Sequence, residues 1–214
     1  TFFYELIHKM SKNNQIFIIT NTSHIIKNYP NNVVIQHLDI KRKSNIFSDL
    51  FVIIKCLPIL FNIKPSIIIS STSKGDFLIN LICLFLPFIK KIHIFTGQIW
   101  SNKNNYKRFF LKLIDKFIFL SSNSILVDSL SQKKFLISEG FTNKKISVIS
   151  NGSIKGVNLD IFEFNSGHRN ELRNKLKIDN DTVLLLFIGR LNFEKGISLL
   201  LDTFSRLIDE KFNI

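Results

Sequence analysis

Phe187-Ile188-Gly189-Arg190-Leu191-Asn192-Phe193-Glu194-Lys195-Gly196 joins two contrasting patterns. Before it, Val183 to Ile188 is an unbroken apolar run that reads as a buried strand. After it, the apolar residues of Ile197 to Ile208 recur at helical spacing. The stretch therefore predicts a strand, a glycine turn and a helix start, with two cations at the junction. Free backbone N–H groups and the positive end of the helix dipole suit phosphate there. Gly189 permits a sharp turn, Arg190 can fork onto phosphate oxygens, and Lys195 adds a point charge. Together they form a candidate grip for a diphosphate. The plainer reading, two solvated cations on an ordinary strand-to-helix loop, stands beside it.

The same alternation runs back through the chain. Strand patterns fall at Ile16–Thr20, Val33–His37, Ile67–Ser71, Ile92–Thr96, Ser124–Asp128 and Ile146–Ser150. Helical patterns fall at Phe2–Ser11, Ile46–Phe61, Phe77–Phe88, Tyr106–Leu120 and Ser131–Glu139, with a short one at Arg169–Leu176. Nearly continuous apolar strands separated by helices predict an α/β fold, an open parallel Rossmann-like sheet with right-handed crossovers. Ligands bind beyond the carboxyl ends of such strands. That directs attention to the loops after Ser71, Thr96, Asp128 and Ser150. The turn-rich Asn151-Gly152-Ser153-Ile154-Lys155-Gly156-Val157-Asn158 marks a change of composition. Residues 1–150 read as one domain, and 151–214 as a connection followed by the first βα unit of a second.

Charge divides at the same place. The chain has 214 residues and a net charge of +13; residues 1–150 hold 20 Lys and Arg against 7 Asp and Glu, whereas 151–214 hold 9 of each. A basic first part suggests an anionic partner: membrane lipid, nucleic acid or a phosphorylated substrate. Drift in an A/T-rich coding sequence is the competing explanation. Hydrophobic residues at 45% exclude wholesale disorder. Cys56 and Cys83 lie inside apolar segments and read as core residues in a reducing compartment. The five histidines show no metal-ligand spacing. Phe77–Ile89, the longest apolar stretch, contains Asn80 and Pro87 and is too short to span a bilayer. The chain starts at Thr1 in a helical pattern and stops at Asn213-Ile214 just after another, so both ends read as cut.

Three loops carry candidate ligand contacts. Ser73, Lys74 and Gly75 open the helix at Phe77; they either meet an anionic ligand or cap the helix, and capping is the commoner role. Gly97 and Gln98 follow a strand, with Gly97 permitting close approach and Gln98 offering a donor and an acceptor. Trp100 either stacks on a sugar ring or packs in the interdomain wall. Lys103, Lys107, Arg108, Lys112 and Lys116 alternate with Phe109, Phe110, Leu113, Ile114 and Phe117. That helix suits an anionic membrane surface or simple packing on the sheet, the default for a sheet-covering helix.

Taken together, the motifs resemble the GT-B glycosyltransferases, in particular the family 4 branch that builds bacterial capsule and O-antigen polysaccharides. Phe187-Ile188-Gly189-Arg190-Leu191 with Glu194-Lys195-Gly196 is similar to that family's donor-binding segment. Lys145-Ile146-Ser147-Val148-Ile149-Ser150-Asn151-Gly152 with Val157-Asn158-Leu159-Asp160-Ile161-Phe162 is similar to its interdomain segment. The resemblance implies two Rossmann-like domains facing a cleft. The acceptor side would involve Ser73, Lys74, Gly75, Gly97, Gln98, Trp100, Asn151 and Gly152. The donor diphosphate would lie on Gly189, Arg190, Lys195 and Gly196. It further implies a nucleotide sugar, UDP-linked, as substrate, with no cofactor or metal, and retention of anomeric configuration. The acceptor would be a glycan or a polyprenyl-diphosphate-linked sugar at the cytoplasmic, inner face of the plasma membrane. An anionic membrane surface is thus an expected partner and nucleic acid is not.

Three departures accompany the resemblance. The family's acidic donor motif would lie beyond Ile214, its first strand and glycine-rich loop would lie before Thr1, and Gln98 stands where many relatives carry histidine. These predict that the 214-residue piece alone is inactive and poorly stable, and leave the catalytic residues unassigned. A GT-B-like sugar-nucleotide epimerase and a basic membrane- or nucleic-acid-binding module remain alternatives. No helix-turn-helix, zinc or RNA-binding signature supports the latter. No G-x-G-x-x-G follows a strand to support a nicotinamide dehydrogenase.

Overall fold

The computed structural model describes residues 3–21, 29–40, 45–153 and 156–209. Phe2, expected at the head of the first helix, and Ile154-Lys155, within the quoted connection, lie outside these. The chain divides into two compact units, residues 1–156 and 157–214.

The first unit is the expected parallel α/β structure. In chain order it runs α1 (Tyr4–Ser11), β1 (Ile16–Thr20), β2 (Val33–His37), α2 (Ile46–Ile63), β3 (Ile67–Ser70) and α3 (Ser73–Cys83). It continues with β4 (Lys90–Phe95), α4 (Asn105–Ser121), β5 (Ser124–Val127), α5 (Leu130–Ser138) and β6 (Ile146–Val148). β1 pairs with β2, in register from Ile16 opposite Val33 to Thr20 opposite His37. β3, β4, β5 and β6 form a second sheet in that spatial order, again all parallel. Among the described residues no strand pairing joins the two sheets.

Right-handed crossovers explain where the helices lie. The steps β3 to β4, β4 to β5 and β5 to β6 all move in one direction across the sheet, so α3, α4 and α5 share one face. Two apolar clusters fill that layer. Leu38, Cys56, Leu60, Ile82, Cys83, Leu86 and Ile89 form one, with Ile19 and Ile68 packed against it, so α2 joins both sheets. Phe95, Trp100, Phe119, Ile125, Val127, Leu136, Phe141 and Ile146 form the other.

Helix boundaries follow local chemistry. Asn45, extended at the N-cap of α2, accepts from the Ser48 amide, and Ser129 does the same for the Gln132 amide of α5. α3 begins at Ser73, four residues before the Phe77 expected from apolar periodicity, because Thr72 is extended and its carbonyl accepts the Asp76 amide. It ends at Cys83 rather than Phe88, ahead of Pro87, which disfavours helix at the residue before it.

The second unit holds α6 (Ser166–Leu176), a 3-10 turn at Phe193–Lys195, and α7 (Ile197–Asp209). The expected strand at Val183–Ile188 is not formed; beyond Val148 the described residues contain no strand. A parallel strand needs a neighbour for its N–H and C=O groups, and this unit provides none. Val183, Leu184, Leu185 and Leu186 are exposed, and no apolar side chain of the unit is fully buried among the described residues. Among the described residues its one buried side chain is that of Arg173, which donates through Nη2 to the carbonyls of Asp179 and Thr182 and so pins the turn after α6. The predicted βα unit is therefore present as its helix alone.

Candidate functional site

At the carboxyl ends of the second sheet, four loops converge, and they carry the expected residues of the first unit. Gly97 has a φ of +133°, and Gln98 follows it. These two line a cavity of about 400 Å³ with Ser101, Asp128, Ser131, Gln132 and Phe135. The Gln98 side chain is nearly buried; its Oε1 takes a long contact of 3.5 Å from Gln132 Nε2, and its own Nε2 has no partner among the described residues. Gln132 Oε1 in turn accepts the Asp128 amide at 3.0 Å, which holds that loop against α5. Gly152 packs against the Asp128 backbone. Its φ is +90°, and a Cβ there would lie 3.1 Å from the Asp128 carbonyl oxygen. Asn151, beside it, is exposed. Asp128 heads one of the four loops marked from the sequence, whereas Gln132 was not singled out; the contact that joins Gln132 to Gln98 spans 34 residues.

Ser73, Lys74 and Gly75 form the first turn of α3, and Lys74 is already engaged. Its Nζ lies 2.7 Å from Asp49 Oδ1 in the first turn of α2. Thr72 makes no side-chain cap, so the helix start is held by backbone alone on that side. Below this turn lies a buried polar cluster. Ser70 donates to Asp76 Oδ1, His93 Nδ1 is 3.0 Å from Ser70 Oγ and 3.1 Å from Asp76 Oδ2, and Asn80 Nδ2 donates to Asp76 Oδ2 at 3.0 Å. Ser70 and His93 are paired residues on β3 and β4, and Asp76 is one turn into α3. The cluster thus locks the helix start to the strand ends. Its signal in the sequence was polar residues set within apolar runs.

Trp100 is not a sugar platform. It is 1% exposed, and its ring is stacked between Phe135, at 5.4 Å between centroids, and Phe141, at 6.4 Å. Its indole N–H donates to Asp115 Oδ2 at 2.8 Å. Arg108 and Lys112 lie 5.1 and 5.4 Å from the ring centroid, and both are held by Glu139 at 2.5 Å. Burial pushes the Asp115 carboxyl above its ordinary range, while the indole hydrogen bond, His93 and Ser73 oppose that shift.

In the second unit, Lys195 ends the short 3-10 turn and Arg190 lies three residues before it. Both side chains are exposed, and neither makes a hydrogen bond or ion pair among the described residues. The turn is closed by the Gly196 amide donating to the Phe193 carbonyl at 3.0 Å. Gly196 itself, at a φ of +73°, leads into α7, whose Leu200 amide bonds back to the Gly196 carbonyl. Gly189 does not use a left-handed conformation; a Cβ there would meet the Phe187 ring at 3.2 Å. The chain bends at this residue, as expected, and the missing side chain spares that contact. Two unpaired cations beside a helix start can bind an anion.

Comparison with known proteins bears on what these loops belong to. The chain is 28% identical over 206 residues to the capsular polysaccharide biosynthesis glycosyltransferase CapM of Staphylococcus aureus, a match covering 95% of the chain and 53% of CapM. The parallel sheet of this chain is the Rossmann-like sheet of the GT-B N-terminal domain. The crystal structure of Anabaena HepE in complex with UDP and glucose superimposes on 82% of this chain and 45% of HepE, with a TM-score of 0.63 and 14% identity. UDP-GlcNAc 2-epimerase from Methanocaldococcus jannaschii shares the fold, with a TM-score of 0.52 and 19% identity over 84% of this chain and 50% of its own. No protein-family model matches. The chain spans about half the length of the relatives it matches.

Proposed function

We propose that this chain is part of a glycosyltransferase that moves a sugar from a UDP-sugar to a glycan or polyprenyl-diphosphate-linked acceptor in capsule or related cell-surface polysaccharide synthesis. The enzyme works at the inner face of the plasma membrane. The match to CapM over 95% of the chain carries this reading, since it takes in both units. Residues 1–150 are the acceptor-side domain, and 151–214 are the interdomain connection and the beginning of the donor-side domain.

In the reaction, the bond between the anomeric carbon and the diphosphate oxygen breaks, and its electron pair leaves with the nucleoside diphosphate. A hydroxyl oxygen of the acceptor forms the new glycosidic bond, with retention at the anomeric carbon, and its proton passes to the departing diphosphate oxygen. Arg190 grips the leaving diphosphate through its guanidinium fork, and Lys195 neutralises the charge that develops there. Gly189 and Gly196 keep the backbone close. On the acceptor side, Gly97 and Gln98 border the cavity together with Asp128 and Ser131, and Asn151 and Gly152 border the connection. The Ser73–Gly75 turn, rather than Lys74 alone, faces the acceptor, because Lys74 is tied to Asp49.

The test is transfer of labelled sugar from UDP-sugars by the protein that contains this chain. Label in a lengthened glycan or lipid-linked product supports the reading. Label recovered in an epimerised sugar, with no acceptor required, replaces it with the epimerase reading. The 214-residue piece assayed alone is expected to show no transfer.

A further inference from the structure

We propose that the outer face of the α2–α3–α4 layer is a docking surface for an anionic lipid bilayer. This deepens the reading of a membrane-linked acceptor, and rests on it for the side of the membrane, by assigning the contact to one surface.

A helix that covers a sheet ordinarily turns a polar face outward. α2 does not. Val52, Cys56 and Leu60 are buried on its inner side, while Phe47, Phe51, Ile54 and Phe61, spaced by four, three and seven residues, form an apolar stripe on its outer side. Phe51 is 55% and Ile54 60% exposed. α3, which packs against both α2 and α4, carries the face onward. Between α3 and α4 runs a groove of about 430 Å³ lined by Phe77, Leu81, Phe110, Leu113, Ile114 and Phe117. Phe109, on the next position of α4, is also exposed. Exposed apolar area of this extent calls for a partner.

The charges specify the partner. The carboxylates on these three helices are Asp49, Asp76 and Asp115. Asp49 is paired with Lys74, and Asp76 and Asp115 are buried, so the face offers no free carboxylate. It does offer cations: Lys55 Nζ lies 4.4 Å over the Phe51 ring, and Lys107 Nζ lies 5.9 Å from the Tyr106 centroid. Apolar side chains interleaved with exposed lysines match acyl chains beneath anionic headgroups. A second copy of the chain fits poorly, because each copy carries a net charge of +13. Among the described residues no helix is long and apolar enough to cross a membrane, so the contact is peripheral along this face.

Co-sedimentation of the 214-residue chain with vesicles of phosphatidylcholine, with and without about one third phosphatidylglycerol, tests the proposal. Binding is expected to the anionic vesicles and to weaken in high salt. F51S/I54S, at exposed positions, should bind at least roughly tenfold more weakly with unchanged circular dichroism. K55E/K107E should lose roughly fivefold or more per residue. K175E, in the second unit, should bind as the wild type does. Wild-type failure to bind anionic vesicles, or F51S/I54S binding unchanged, overturns the proposal. So does a dimer in light scattering that F51S/I54S abolishes, which would give the face to a second copy. UDP binding is measured alongside: absent vesicle binding with UDP binding intact removes the docking surface and leaves the transferase reading standing.

Discussion

Trp100 donates its indole N–H to Asp115 Oδ2 across 2.8 Å, and both side chains are buried. This bond anchors the loop that carries Gly97 and Gln98 to the middle of α4. Replacing Asp115 with alanine leaves a buried donor without a partner, which costs about 2 kcal/mol. D115N retains an acceptor oxygen and should cost clearly less. The pH dependence has a definite sign. Burial raises the folded-state pKa of Asp115 above the ordinary 3.8, so the folded chain holds that proton more tightly than the unfolded chain. Its contribution to stability is full below 3.8 and is lost as pH rises through the raised value. D115N has no such loss, so the wild type should lose ground relative to it as pH increases. Urea unfolding of both proteins across the acidic range measures this.

Glu139 behaves in the opposite sense. Hydrogen bonding from Lys112, reinforced by Arg108, holds its carboxyl below the ordinary 4.5. The stabilisation is present above 4.5 and disappears as pH falls through the lowered folded value. E139Q is expected to lower the melting temperature slightly at neutral pH, with the deficit shrinking in acid and in high salt. A deficit independent of both would assign the effect to packing.

The two cysteines should be inert in the folded chain. Burial, with a further contribution from Cys83, pushes the Cys56 thiol up to about 11, and burial raises Cys83 as well. The thiolate is the reactive form. Alkylation by iodoacetamide at mild alkaline pH should be slow in native conditions and complete after denaturation. Rapid labelling of the native chain would show that the α2–α3 cluster opens.

Gly152 and Gly156 separate strain from crowding. Both have left-handed φ, +90° and +67°, but a Cβ at Gly152 meets the Asp128 carbonyl oxygen at 3.1 Å, whereas Gly156 has nothing within 4 Å. Alanine at Gly156 should cost about 1 kcal/mol, and alanine at Gly152 about 1 kcal/mol more, in chemical denaturation. Equal costs would mean that the connection does not press against the β5 loop.

Much of the fold was legible locally. Ile16–Thr20 and Val33–His37 are strands at the residues expected, because short β-branched runs bounded by polar residues leave little ambiguity. The start of α3 was less legible, since Ser73-Lys74-Gly75-Asp76 has loop composition and is made helical by the extended backbone before it and the buried Asp76–His93 contact within it. The fate of Trp100 could not be read, because its partners Asp115, Phe135 and Phe141 are brought to it by tertiary structure. Val183–Ile188 has strand chemistry, but pairing is a property of neighbours that the described second unit does not contain. Of the candidate site, the loop positions were visible from the strand ends, while the engagement of Lys74 by Asp49, 25 residues earlier in sequence, was not.

The central claim is that Arg190 and Lys195 hold the donor diphosphate. Calorimetric titration of UDP into the protein that contains this chain, compared with R190A/K195A, tests it most directly. Both side chains are exposed and unpaired among the described residues, so the double substitution should leave the melting temperature unchanged. It should weaken UDP binding by roughly a hundredfold or more. Undiminished affinity for UDP in R190A/K195A would contradict the account.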